Sequence, residues 1–100
     1  TVTSLDEIEN GIVSSFNLKQ NHPNPFNPST KISWQSPVSG HQTLRVYDIL
    51  GNEVATLINE YRNAGFYETD FSPSNLSSGV YFYRLQVGSF IETKKMIVLK

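Results

Sequence analysis

"VYFYRLQVGSFIETKKMIVL", residues 80–99, holds two strand-like runs on either side of Gly88-Ser89. A two-residue loop with glycine first is what a type II′ hairpin turn requires. The first run, VYFYRLQV, is apolar on both faces in its first half, the pattern of a strand inside a sheet rather than at its border. The second run places Lys94 beside Lys95, so period-two alternation sends them to opposite faces. Met96 and Val98 share the parity of Lys94, while Ile97 and Leu99 share that of Lys95. One lysine therefore falls on an otherwise apolar face, where its ammonium has to snorkel to the rim. An edge strand of this kind would offer free backbone groups for strand addition and positive charge for steering. Lysines also guard a sheet edge against aggregation, and that reading stands beside the first.

Upstream of this hairpin the alternation recurs about every ten residues, each run bounded by turn chemistry. TKISWQ puts Ile32 and Trp34 on one face, and QTLRVYD puts Leu44 and Val46 inward. DILG, residues 48–51, has Asp first and Gly last, as a three-residue hairpin built on a type I turn with a bulge demands. EVATLI returns as its partner, and FYETDF sets Tyr67, Thr69 and Phe71 against Phe66, Glu68 and Asp70. SPSNLSSG connects the last two units, with Leu76 as its plug into the core. Six strands and a short one near Phe16, with no helix in the body, predict an all-β fold. The expected form is an immunoglobulin-like antiparallel β-sandwich of about seven strands in Greek-key order. Its expected core holds Trp34, Leu44, Val46, Leu57, Tyr67, Phe71, Tyr83 and Leu85.

The N-terminal part reads differently. Ser4 and Glu7 in SLDEIENG form a capping box, with Gly11 as a stop, so residues 4–11 are a candidate short helix or else a polar tether. Alternation begins at Phe16, which divides the chain into a linker over 1–15 and a β-domain over 16–100. The first residue is Thr1, and the expectation is the tail of a longer protein with a cargo domain upstream. NHPNPFNPST, residues 21–30, carries three of the five prolines. Pro23, Pro25 and Pro28 fix three φ angles and bias the residues before them to extended forms, so this stretch is a rigid elbow. Asn24 and Asn27 are suited to hold it through side-chain bonds to backbone, with Phe26 anchoring it on the core.

The composition excludes several kinds of chemistry. Eight basic against nine acidic residues leave a net charge of −1, which is no footprint of a nucleic-acid binder. The charge is unevenly placed: Asp6, Glu7 and Glu9 mark the start, while Arg84, Lys94, Lys95 and Lys100 mark the end. The absence of cysteine excludes disulfides and thiolate sites, and no apolar run has the length of a membrane span. His22 and His41 fall in expected loops with no second ligand at a metal-binding spacing. Neither a paired carboxylate nor a nucleophile elbow nor a phosphate-cradling loop can be argued, so no catalytic residue, metal or cofactor is expected. Twelve aromatic residues in 100 keep open a carbohydrate-binding or adhesive module, with Tyr47, Tyr61, Phe66 and Phe82 outward by parity. A hydrolase is a distant third reading.

Three stretches carry a resemblance: the elbow NHPNPFNPST followed by a strand, LRVYDILGNEVATL, and the closing SGVYFYRLQVGSFIETKKMIVLK. In order and spacing they resemble the type A C-terminal sorting domain of the type IX (Por) secretion system of Bacteroidetes and related Gram-negative phyla. A flagellar hook-capping immunoglobulin-like domain looks similar over the same strands. The resemblance implies a non-catalytic signal at the end of a secreted protein, read by the outer-membrane translocon. A sortase-like protease then removes it and joins the cargo to the cell surface. It also assigns Asn24, Pro25 and Phe26 to the elbow motif and Gly79 and Tyr81 to the Gly-x-Tyr motif. Lys94, Lys95, Met96 and Lys100 match the basic final strand. Two positions depart from the family pattern: His22 stands where a tyrosine is usual, and SWQSP replaces an aromatic-Ser-Leu-Pro sequence. The expectation is that removing Lys95–Lys100, or changing Lys94 and Lys95 to glutamate, blocks export of a fused reporter while most of the sandwich still folds.

Overall fold

The computed structural model describes residues 8–9 and 12–100. A short ribbon, β1 (Ile8–Glu9) with β2 (Ile12–Val13), precedes the main body. Ile8 and Glu9 are thus extended rather than helical, and the rest of the candidate helix lies outside the described residues. The body has seven further strands: β3 (Asn17–Leu18), β4 (Thr30–Ser36), β5 (Gly40–Tyr47), β6 (Glu53–Arg62), β7 (Gly65–Phe71), β8 (Gly79–Val87) and β9 (Phe90–Val98). They form two antiparallel sheets, β3-β4-β7 and β6-β5-β8-β9. After β5 opens the second sheet, each later change of sheet returns the chain beside an earlier strand, β7 beside β4 and β8 beside β5, which is the Greek-key pattern. The protein is all-β, a seven-strand sandwich as its sequence predicts.

The expected turns form as the residue types dictate. The Gly51 amide donates to the Asp48 carbonyl at 3.0 Å, and the Asp48 amide to the Asn52 carbonyl at 2.9 Å. Gly51 closes this bulged turn at φ 88°, where a side chain would meet no atom but the backbone itself disfavours one. Gly88-Ser89 joins the paired residues Val87 and Phe90 as a two-residue loop.

Six of the eight expected core residues are buried: Trp34, Leu44, Val46, Phe71, Tyr83 and Leu85. Leu57 and Tyr67 are only half-buried against that core. For Leu57 the reason is a bulge. Leu44 pairs with Ile58 and Arg45 with Thr56, which leaves Leu57 as the extra residue and hands its inward position to Ile58. Tyr67 lies near the open start of β7, its ring tilted on Trp34 at 5.9 Å and its hydroxyl bonded to the Asn63 carbonyl. Leu76 plugs the core from the connection, as expected. Five polar residues are buried among the described residues, Asn21, Thr30, Gln35, Ser36 and Gln42, and Trp34 Nε1 donates to Gln42 Oε1 at 2.9 Å. His41 stands within β5 rather than in a loop, its Nε2 at 2.6 Å from Asn59 Oδ1. Glu68 and Asp70 line the wet face of β7, where both pair with Lys31 at 3.3 and 3.6 Å.

Candidate recognition surface

The elbow and the final strand, separated by some seventy positions in the sequence, are one structure. Alternation gives the residues of β9 two roles. Phe90, Glu92, Lys94, Met96 and Val98 turn their backbone groups to β8, and the intervening residues turn theirs outward to the sheet edge. At that edge the Phe26 amide donates to the Ile97 carbonyl at 3.0 Å, and the Leu99 amide donates to the Phe26 carbonyl at 2.9 Å. The Ile97 amide donates to Asn24 Oδ1 at 2.9 Å, and Gln20 Nε2 to the Lys95 carbonyl at 2.7 Å. Further back, Phe16 stacks on Phe90 with ring centroids 4.1 Å apart. The segment from Phe16 to Phe26 therefore runs parallel to β9, and Phe26 forms a parallel bridge to Val98.

This limits the expectation that β9 offers free backbone groups for strand addition to the first part of the strand. The groups of Ile97 and Leu99 are already bonded to the elbow; those facing the edge at Ile91 and Thr93 meet no partner among the described residues. The elbow is what an edge-covering segment has to be. Its prolines carry no N–H donor to leave unpaired, and it blunts a strand that would otherwise invite pairing. The three bonds His22–Pro23, Asn24–Pro25 and Asn27–Pro28 are cis. Phe26 is buried and packs at a tilt on Phe71, with centroids 6.1 Å apart, so the expected anchor is in place. Pro25 is exposed.

Residues that no motif pointed to seat the elbow from inside. The Tyr83 hydroxyl accepts from the Asn21 amide at 2.8 Å and donates to the Lys19 carbonyl at 2.7 Å. Burial pushes its phenol up to about 12, the hydrogen bond from Asn21 opposing this and the Glu92 carboxylate adding to it. Asn21 Nδ2 in turn donates to Pro23 O and to Thr30 Oγ1, and Thr30 Oγ1 donates to Pro23 O at 2.8 Å. The run of asparagines hinted at such side-chain turns, but only the tertiary fold shows that the partner is a tyrosine 62 positions away.

The remaining candidates divide by exposure. Lys94, on the inward parity with buried Met96 and Val98, reaches the rim and pairs with Glu92 at 3.6 Å, the snorkelling that its register predicts. Lys95 is exposed on the opposite face, directly across from Phe82. Tyr81 is buried and its hydroxyl donates to the Ser77 carbonyl at 2.9 Å. Gly79 holds φ 152°, a backbone region closed to other residues, with no neighbour near the place of a Cβ. The glycine of the Gly-x-Tyr motif is thus a backbone requirement and not a space requirement. The Lys100 amide donates to Ser78 Oγ at 2.8 Å and ties the tail to the start of β8. Removing Lys95–Lys100 takes away the core side chains Met96 and Val98 and the elbow bonds of Ile97 and Leu99, which argues against the expectation that most of the sandwich folds without them.

The fold is an antiparallel β-sandwich whose N-terminal elbow is clasped along its own last strand. A family model described as the secretion system C-terminal sorting domain matches residues 20–99, and the chain belongs to that family. Comparison with curated proteins gave no match. The family is the type IX secretion sorting domain, a non-catalytic signal that works with the type IX machinery and directs its carrier to the cell surface or the extracellular space. Among the described residues no helix is long and apolar enough to cross a membrane.

Proposed function

We propose that residues 16–100 are the sorting unit and residues 1–15 a tether from a cargo domain in the same chain. The outer-membrane translocon reads the exposed members of the motif set, Lys95 and Lys100 with the strand start at Gly79, before a sortase-like protease acts. Tyr81, Met96, Phe26 and Asn24 serve by holding that strand in place, and Lys94 by closing its rim. The observation that carries this division is the register of β9. It buries Met96 and Val98 while leaving Lys95 exposed, with no carboxylate paired to it among the described residues.

The test uses a periplasm-targeted reporter fused to the whole chain in a type IX-competent host. Lys95→Glu combined with Lys100→Glu is expected to lower export at least tenfold while the thermal melt of the purified chain is unchanged. Deleting residues 1–15 is expected to leave export as it was. Wild-type export of the double variant would sink the assignment of these lysines.

A further inference from the structure

The outer face of the four-stranded sheet carries an arrangement that folding alone does not favour. Arg45 of β5 and Arg84 of β8 are directly opposite each other in register, with like charges facing on one surface. Such a pair is destabilising unless something compensates. Arg45 has a partner, Glu53, at 3.6 Å. Arg84 has no carboxylate partner among the described residues; its guanidinium lies over the Tyr47 ring, 4.7 Å from the centroid. Stacking occupies the face of the guanidinium and leaves its in-plane N–H donors for an incoming carboxylate. One row along the sheet stands Phe82, flanked by Tyr47 on β5 and Lys95 on β9.

Beside this row rises the β5–β6 hairpin tip, where Ile49 and Leu50 are 69% and 83% exposed. The tip is held rigidly, since Asp48 Oδ1 accepts from the Leu50 and Asn52 amides, both at 2.9 Å. Its carboxylate is thereby committed to the turn and does little to offset Arg84. A cavity of about 360 Å³ opens between Tyr47, Phe82, Arg84 and Ile49. A second, of about 260 Å³, lies on the other side of the tip between Leu50, Gly79 and Val80. Two hollows, the first of mixed lining and the second mainly apolar, flank a fixed apolar tip, and the cations Arg84 and Lys95, without a carboxylate partner among the described residues, stand beside Phe82; together they fit one kind of occupant.

We propose that this face docks an acidic segment of a protein of the secretion machinery. A carboxylate of that segment bonds in plane with Arg84, and its apolar side chains fill the hollows on either side of Ile49 and Leu50. The proposal rests on the sorting reading above and names the surface that the reading leaves open. A phosphate-rich surface is the poorer match, because the two free cations stand apart on either side of an aromatic ring rather than clustered.

The experiment uses the same reporter fused to the whole chain, with Arg84→Glu, Arg84→Lys and Leu50→Glu as variants. Arg84→Glu places a carboxylate opposite Arg45, so the purified chain is expected to melt no lower than wild type. Export is expected to fall tenfold or more in Arg84→Glu and in Leu50→Glu, with Arg84→Lys between them and wild type. A reporter exported equally well without the chain would refute the sorting reading itself. If export needs the chain yet all three variants match wild type, sorting stands and this surface does not. Purified chain is also tested against vesicles of phosphatidylglycerol and phosphatidylcholine. Absence of binding supports a protein occupant; binding that Arg84→Glu abolishes would make the face a reader of phosphate and overturn the proposal.

Discussion

The hydroxyl of Tyr83 and the backbone amide of Asn21 lie 2.8 Å apart, joining the central strand β8 to the chain just before the elbow. Both groups are buried, and the same hydroxyl donates onward to Lys19. Tyr83→Phe leaves the Asn21 amide without a partner in a dry place. The expected cost is about 1–3 kcal/mol, read as a lower urea midpoint at unchanged slope.

The same phenol sets an alkaline limit. Its ordinary value is 10.0, and in the fold burial raises it to about 12. Below pH 10 both folded and unfolded chains hold the proton, and its contribution is complete. Between those two values the unfolded chain releases the proton while the folded one keeps it, so stability declines by about 1.4 kcal/mol per pH unit. Denaturation of wild type and Tyr83→Phe across that range is expected to show the decline in wild type and to narrow the gap between them.

Phe26 supplies both the side chain and the backbone of the clasp. Phe26→Ala is expected to cost about 3–5 kcal/mol, as for other buried rings. Asn24→Ala removes only the acceptor of the Ile97 amide. Its expected effect is local: faster hydrogen exchange at Ile97 and Leu99, with Leu44 and Leu85 unchanged. Equal acceleration at all four would mean that the clasp is not a separate unit.

Asp48 gives a second pH handle at the hairpin tip. The hydrogen bond from the Asn52 backbone is the largest influence and burial, which opposes it, the next; with the bonds from the Asn52 side chain and the Leu50 and Gly51 amides added, the carboxyl is held below the ordinary 3.8. A depressed carboxyl stabilises above its unfolded value, and that stabilisation is lost as the pH falls through the folded one. The amide signals of Leu50 and Asn52 are expected to titrate together with a midpoint under 3.8. Asp48→Ala is expected to broaden both.

Gly51 and Gly79 separate strain from space. Neither has an atom within 4 Å of a would-be Cβ, so any penalty of Gly→Ala comes from the backbone. Gly51→Ala in the left-handed region is expected to cost roughly 1–2 kcal/mol. At φ 152° Gly79 has no comfortable alternative, and Gly79→Ala is expected to cost more. Chemical denaturation of the two variants gives the order.

Local pattern carried most of the fold. The parity of Ile32 with Trp34 and of Leu44 with Val46, the Asp48–Gly51 turn and the Gly88-Ser89 loop all follow from side-chain alternation and turn chemistry, which neighbouring residues decide. Leu57 departs from the expected inward position because a bulge resets parity, and a bulge depends on the partner strand rather than on the strand's own residues. The motif residues of the recognition surface could be named in sequence, but not their separation into buried Met96 and exposed Lys95 with their tertiary partners. That Asn24 and Ile97 are bonded, or that Arg45 faces Arg84, is a matter of topology and register. Nothing in either local stretch encodes it.

The parallel course of the clasp has a mechanical consequence. A pull between the chain ahead of Phe16 and the tail at Lys100 draws the two strands in opposite directions along their length. The contacts of Gln20 with Lys95, Asn24 with Ile97, and Phe26 with Ile97 and Leu99 are then loaded together in shear. They do not peel one after another, as they would if the force were applied at one end of a hairpin. Tension between the chain ahead of Phe16 and Lys100 is therefore carried by the whole latch at once, and the latch is expected to hold the shape of the domain under traction until its bonds give way together.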